Sequence, residues 1–323
     1  MKREKYIDIA KGIAIISVVS GHILIYNIYG FNDVWNESPL VKFIYSFHMP
    51  LFIFLSGLVA SIPNSLSQAY KDLFKRFKTL LIPFFIIGGI YSFTITQNLS
   101  FLLDKMKFGY WYFLVLFYCY ILNYIGINLT TDYKKLLLPI QICLMIIAWK
   151  TIAHISTYTP INIQNILSIN LFIAYYPYYL IGSLIKRFNL HRVLFNNTYI
   201  FIVSIILWSQ KDLIQFPYSN YITTFSTIIA IMHICHKIEE KTTYSSRILN
   251  YIGLNTLYIY CFHYFILLIM NMNFIHQLTN SMDSSILFDL LLCIIPTCFA
   301  ILFSLFIKCI IKNTIITKLL FNK

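Results

Sequence analysis

At 323 residues, with 59% hydrophobic and only 11% charged side chains and a mean hydropathy of +0.71, the chain departs from a water-soluble domain, which is about half apolar and a quarter charged. This composition excludes an ordinary soluble enzyme and indicates an integral membrane protein. A formal net charge of +13 would suggest nucleic acid as a partner in a soluble protein; in a membrane protein the cations report topology, and no nucleic-acid partner is expected.

A span needs about 20 mostly apolar residues to cross about 30 Å of hydrocarbon. Apolar runs bounded by polar turns give ten candidate spans: 8–29, 42–62, 79–97, 109–128, 136–152, 170–185, 195–208, 221–236, 249–271 and 286–307. The expectation is an all-α, polytopic protein with one membrane domain over 1–323 and no soluble domain. The start MKREK before an apolar run resembles a signal peptide, but Lys11 and His22 interrupt the run and no small-residue cleavage site follows, so a retained first helix is expected. With the amino terminus inside, the inner segments are MKREK, KDLFKRFK, TDYKK, KRFNLHR, HKIEEK to Arg247, and the tail from Lys308. They hold 19 of the 25 Lys and Arg residues, against Lys42, Lys105, Lys107, Lys150 and Lys211 outside. The positive-inside rule then places both termini in the cytoplasm. The seven cysteines lie in or against apolar runs without a CxxC pair and read as small buried apolar residues.

The first span carries Asp8, Lys11 and His22 in YIDIAKGIAIISVVSGH. Lys11 and His22 are eleven residues apart, within roughly 20° of one helical face and about 16 Å along it. Ionisable groups inside an apolar span cost on the order of 2.5–3.5 kcal/mol each, so three on one face point to chemistry. The second span, VKFIYSFHMPLFIFLSG, carries His48, and the ninth, IGLNTLYIYCFHYF, carries His263. Counting about 1.5 Å per residue from each span edge places His22, His48 and His263 at one level, about two-thirds of the way toward the outer face. That level predicts one shared cavity. The plain alternative for His48 and His263 is helix packing. Gly253, Thr256, Tyr260 and His263 recur at three, four and three residues, a single polar stripe of one helix.

Arg76 and Lys78 stand at the mouth of the third span, as topogenic charge or as a phosphate clamp. Trp111 and Tyr112 open the fourth span, as interfacial aromatics or as a platform for a sugar ring. His233 and His236 fall near the inner end of the eighth span and His154, His191 and His276 in loops; none receives a role. No Walker loop, GxGxxG turn, GxSxG elbow, HExxH or CxxC pattern occurs, and no metal site is expected. The chemistry that remains is histidine chemistry.

These residues resemble the membrane acyltransferase family 3, polytopic O-acyltransferases that modify bacterial surface carbohydrates. Asp8, Lys11 and His22 are similar to the family's opening pattern of an acid, a basic residue and, after ten residues, the histidine taken as catalytic. FHMPLFIFLSG with His48, Pro50, Ser56 and Gly57 resembles its second helix, and Arg76 and Lys78 before Pro83 its basic third-helix motif. Trp111 with Phe113 and Leu114, and IGLNTLYIYCFH ending at His263, resemble its fourth and late helices. Lys11 and Lys78 stand where arginine is common, and lysine lacks the planar fork that grips phosphate.

The resemblance implies a multi-pass protein of the bacterial cytoplasmic (inner) membrane with no permanently bound cofactor. It would take acetyl-CoA as acyl donor and a cell-surface saccharide or its lipid-linked precursor as acceptor. His22 would be the general base, with Asp8 and Lys11 beside it, and an acyl-histidine intermediate stays open. Lys11, Arg76 and Lys78 would hold donor phosphates. His48, Trp111, Tyr112, Thr256, Tyr260 and His263 would line the substrate cavity. Two rivals remain, a saccharide or lipid exporter and a bis-histidine haem protein; a transporter should show paired broken helices or internal symmetry.

Overall fold

The computed structural model describes residues 4–30, 38–63, 65–125, 138–210, 219–241, 243–270 and 285–312, with isolated positions in the tail. The segment TDYKK, Lys211 and His276 lie outside the described residues. Among the described residues all regular structure is helical. In order these helices are α1 (Lys5–His22), α2 (Pro39–Leu58), α3 (Leu66–Arg76), α4 (Ile82–Thr96), α5 (Trp111–Asn123), α6 (Leu138–Ser156), α7 (Ile161–Leu167) and α8 (Ile169–Arg187). There follow α9 (His191–Asn196), α10 (Thr198–Ser209), α11 (Ser219–Lys241), α12 (Tyr244–Leu254), α13 (Thr256–Ile269) and α14 (Ile286–Ile311). Two π-helical segments, Ile23–Ile28 and Phe77–Leu81, prolong α1 and α3.

Each of the ten candidate segments holds helix among its described residues, but fewer meet the length and composition of a span. Among the described residues five runs are long and apolar enough: Lys5–Ile28, Pro39–Leu58, Leu66–Thr96, Leu138–Ser156 and Ile286–Ile311. Two bent pairs, α7 with α8 at 47° and α12 with α13 at 80°, raise the number to seven. The third candidate begins earlier than expected. KDLFKRFK is the helix α3 rather than a loop, capped at its start by the Ser65 hydroxyl, which accepts from the Gln68 N–H. His154 belongs to α6 and His191 opens α9, so neither is a loop residue.

Lipid as solvent shows in the polarity of α14. Its buried positions include Asp289, Cys293, Thr297 and Ser304, whereas Leu287, Leu291, Ile295 and Leu302 are exposed. A water-soluble helix has the opposite arrangement. Hydrocarbon does not penalise exposed leucine, while a polar group facing it goes unsatisfied, so the polar stripe turns inward. For the same reason Cys143, Cys298 and Cys309 are exposed, a correction to the reading that all seven cysteines are buried.

The chain divides into two compact units, residues 1–55 with 185–310 and residues 56–184 with 311–323. In the first, α1 packs on α12 at backbone distance. A Cβ on Gly253 would land on the Asp8 carbonyl oxygen and one on Gly12 on the Leu249 carbonyl oxygen, so only glycine fits at this crossing. Pro50 lies inside α2 and provides no N–H for the Ser46 carbonyl; the Thr224 hydroxyl of α11 donates to it instead at 3.2 Å.

The second unit repeats that solution. Pro177 lies inside α8, and the freed Ile173 carbonyl accepts from the Trp149 indole of α6 at 3.1 Å. Lys107, read as an outer surface charge, is buried. Burial lowers its pKa to about 8, against the Asp104 carboxylate, which raises it, so it stays an ammonium at neutral pH. Its three N–H groups match the carbonyls of Leu102 (3.0 Å), Asp104 (2.7 Å) and Asn165 (2.5 Å).

Trp149→Phe removes the donor to the Ile173 carbonyl and should lower stability by about 0.6–1.7 kcal/mol, the range for interhelical hydrogen bonds in membranes. Pro177→Ala restores a backbone N–H to that carbonyl, so most of the loss should vanish in the double variant. Melting in detergent of the four proteins of the cycle measures the coupling; additive effects would mean that the indole does not serve the proline's carbonyl.

Candidate active site

His22 is the last residue of α1 before the π-helical segment Ile23–Ile28. A π turn displaces the residues that follow it and is frequent at functional sites. Here it is held from outside, because the Asn27 amide donates to the carbonyls of Leu267 (3.0 Å) and Met270 (2.7 Å) at the end of α13. That tie draws the C-terminal end of α1 and its π-helical extension onto the helix that carries His263.

The two imidazoles meet directly. His22 Nδ1 lies 3.0 Å from His263 Nε2, with the rings within 8° of parallel. The tautomers follow from the backbone. His263 Nδ1 faces the carbonyls of Ile259 (3.0 Å) and Tyr260 (2.9 Å), which only accept, so Nδ1 carries the proton. In neutral His263, Nε2 is then an acceptor and His22 Nδ1 must donate to it. This leaves the lone pair of His22 on Nε2, where the Tyr264 hydroxyl donates at 3.1 Å. His263 is fully buried and Tyr264 nearly so, while His22 keeps some exposed surface and is the member of the chain that another molecule can touch.

Of the other residues singled out in the first unit, Tyr260 adjoins that chain, its carbonyl facing His263 Nδ1 and its ring 5.9 Å from that imidazole. His48 is buried, with Nδ1 2.7 Å from the Ile44 carbonyl of its own helix. Lys11 Nζ is 3.5 Å from the buried Asp8 carboxylate, near the start of α1. Tyr260 is buried and Thr256 partly so. The expected stripe from Gly253 to His263 is not continuous: the helix breaks at Asn255, whose amide donates to the Tyr251 carbonyl, and Gly253 belongs to α12 rather than to the helix of Thr256, Tyr260 and His263. The buried Asp289 of α14 accepts from the hydroxyls of Tyr29 and Ser38.

In the second unit Arg76 closes α3, with its guanidinium 4.4 Å from the centre of the Tyr120 ring. Lys78 lies in the π segment that follows and rests 4.5 Å above the Phe74 ring. Trp111 is buried, with its ring stacked on Tyr175 at 4.8 Å, and the Tyr112 hydroxyl lies 3.1 Å from Ser56 Oγ. Among the described residues no group of three or more His, Cys, Asp and Glu side chains is placed to hold a metal ion. Two axial haem ligands with metal–nitrogen bonds of about 2 Å each would stand farther apart than the 3.0 Å between His22 and His263.

A family model described as an acyltransferase domain, acyltransferase 3, matches residues 4–305. The chain belongs to the acyltransferase 3 family. It is also similar to two proteins named nodulation protein NolL. That of Mesorhizobium japonicum is 32% identical over 199 residues, covering 57% of this chain and 48% of the relative. That of Sinorhizobium fredii is 45% identical over 84 residues, covering 25% of this chain and 22% of the relative. The chain thus spans about half of the first and about a fifth of the second. No solved structure matches it.

The family match includes every side chain placed above. Tyr264 and the π turn after His22 were not read from the sequence. Tyr264 follows Tyr260 by four residues and falls on the same broad face, but one more tyrosine in the aromatic run YIYCFHYF carries no signal of its own. A π turn leaves no mark in hydropathy.

Because His263 fixes the tautomer of His22, His263→Leu should leave either nitrogen of His22 protonated and lower the rate of acyl transfer on the order of 10²–10⁴-fold, as wrong-tautomer bases do. His263→Gln, which keeps an acceptor oxygen near Nε2, should lose less. Thiol release from a thioester donor by purified variants gives the comparison, and equal losses would remove the tautomer argument.

Proposed function

We propose that this chain is an integral membrane O-acyltransferase of the bacterial cytoplasmic membrane that moves acetyl from acetyl-CoA to a hydroxyl of a cell-surface polysaccharide or its lipid-linked precursor. The observation that carries the reading is the lone pair on His22 Nε2, on the partly exposed ring of an otherwise buried chain. As the acceptor oxygen attacks the thioester carbonyl, Nε2 takes the hydroxyl proton; the C–O bond forms, the C–S bond breaks, and the thiolate leaves with a proton returned by His22. Family membership supports the reaction class, and the topology with both termini cytoplasmic rests on the charge distribution.

On the donor side, Lys11, Arg76 and Lys78 are proposed to hold the phosphates of the coenzyme. Arg76 is half-buried against Tyr120, which restricts the guanidinium before any ligand arrives. His48, Trp111, Tyr112, Thr256 and Tyr260 are proposed to shape the acceptor's surroundings.

The bent pairs α7 with α8 and α12 with α13 favour a second reading, since broken helices also mark transporters: a saccharide exporter without acyl transfer. Mass spectrometry of surface glycans from cells with and without the protein separates the two. The proposal expects the mass of one acyl group per modified residue; unmodified glycan lost from the surface altogether would favour export.

His22→Ala should abolish that modification while the protein remains inserted, because loss of a general base costs about 10²–10⁴-fold. Lys11→Ala and Arg76→Ala should raise the KM for acetyl-CoA with kcat nearly kept, since ground-state phosphate contacts give uniform binding. Steady-state kinetics in proteoliposomes checks both; a loss confined to kcat would contradict the phosphate role.

A further inference from the structure

The Tyr264 hydroxyl occupies the one lone pair that a base at His22 must use. Its direction is fixed, because His22 Nδ1 carries the ring proton and Nε2 only accepts. The Tyr264 ring is 1% exposed, 4.2 Å from His263 and 4.8 Å from His22 between ring centres, with Tyr26 edge-on at 6.1 Å. The end of its helix is tied down by Asn27. These contacts hold the phenol against Nε2, and an acceptor hydroxyl reaches the same lone pair only by displacing the phenol oxygen.

Acetyl-CoA is a hydrolysable donor, and an uncovered base in a partly exposed site would activate water as readily as an alcohol. Hydrolysis would form a C–O bond from water oxygen to the acyl carbon and break the C–S bond, with the water proton passing through Nε2 to the thiolate. We infer that Tyr264 is a positioning residue that keeps His22 Nε2 covered until an acceptor hydroxyl replaces its own, so that the thioester is spent on transfer rather than on water. The inference rests on the proposed role of His22 and adds a determinant of specificity to it. A single water bound in the acceptor position has no other contacts to offset loss of the phenol hydrogen bond. An acceptor held along its length by the rest of the site does.

The test is thioester cleavage by the full-length protein in proteoliposomes, measured as thiol release with no acceptor and compared with transfer to an added saccharide acceptor. Tyr264→Phe is expected to raise acceptor-independent hydrolysis tenfold or more and to raise the ratio of hydrolysis to transfer tenfold or more. The double variant with His22→Ala should lose the gain, showing that it passes through the base. Unchanged hydrolysis in Tyr264→Phe overturns the inference, as does a hundredfold loss of transfer without a rise in hydrolysis, which would make the phenol part of the chemistry. If the phenylalanine variant fails to fold, 3-fluorotyrosine at 264, a stronger donor of the same shape, should push hydrolysis below wild type; no change there is equally fatal. Full transfer by His22→Ala alone would instead overturn the general-base reading, which is a separate result.

Discussion

A hydrogen bond between two neutral imidazoles works only when one ring presents a proton and the other a lone pair. In this protein two main-chain carbonyls settle which is which. Ile259 and Tyr260 hold the proton on His263 Nδ1, and every later assignment, at His263 Nε2, His22 Nδ1 and His22 Nε2, follows without a charged group. A carboxylate in this position would bring a desolvation penalty of several kcal/mol into a site that faces hydrocarbon nearby, whereas carbonyls of a helix are already there. Asp289, the buried acid of α14, is engaged by Tyr29 and Ser38.

Bringing His263 within 3.0 Å of His22 constrains the first unit along its length. The glycines at the α1–α12 crossing set the backbones at contact distance near Asp8. The 80° bend at Asn255 then redirects the chain, so that α12 follows one course and α13 another. At the other end the π turn after His22 and the amide of Asn27 close the gap to the end of α13. A straight ninth helix starting from the same glycine contact would carry His263 along the direction of α12, away from His22.

Much of this was legible in the sequence because lipid imposes simple rules. Apolar runs gave a helix at each of ten places, and Asp8, Lys11 and His22 on one face of the first run were costly enough to mark as functional. Residue counting put His22, His48 and His263 at one level but did not single out His22 and His263 as a hydrogen-bonded pair, and the count assumed one straight ninth helix. The break at Asn255 escaped notice because no proline or glycine pair marks it; asparagine breaks the helix there by bonding its amide to the Tyr251 carbonyl. Lys107 was misread for a related reason, since a loop lysine counts as surface charge until the carbonyls around it are known. Tyr264 was hidden by composition, one tyrosine among the aromatics of YIYCFHYF.

An uncharged chain behind His22 bears on how the proposed transfer must proceed. When Nε2 takes a proton, the new positive charge is shared with His263 and two carbonyl dipoles, not with a carboxylate. Such support is weaker than an ion pair in a medium of low dielectric constant. A long-lived imidazolium would therefore be costly, and the cheapest course hands the proton to the departing thiolate as the C–S bond breaks. The thiolate must consequently leave close to His22 Nε2, on the same side as the attacking hydroxyl, so that one nitrogen serves both ends of the reaction. A donor threaded with its phosphates toward the cytoplasm and its thioester at the level of His22 meets that requirement, and the distance of about 16 Å from Lys11 to His22 along α1 suits the extended arm between the two.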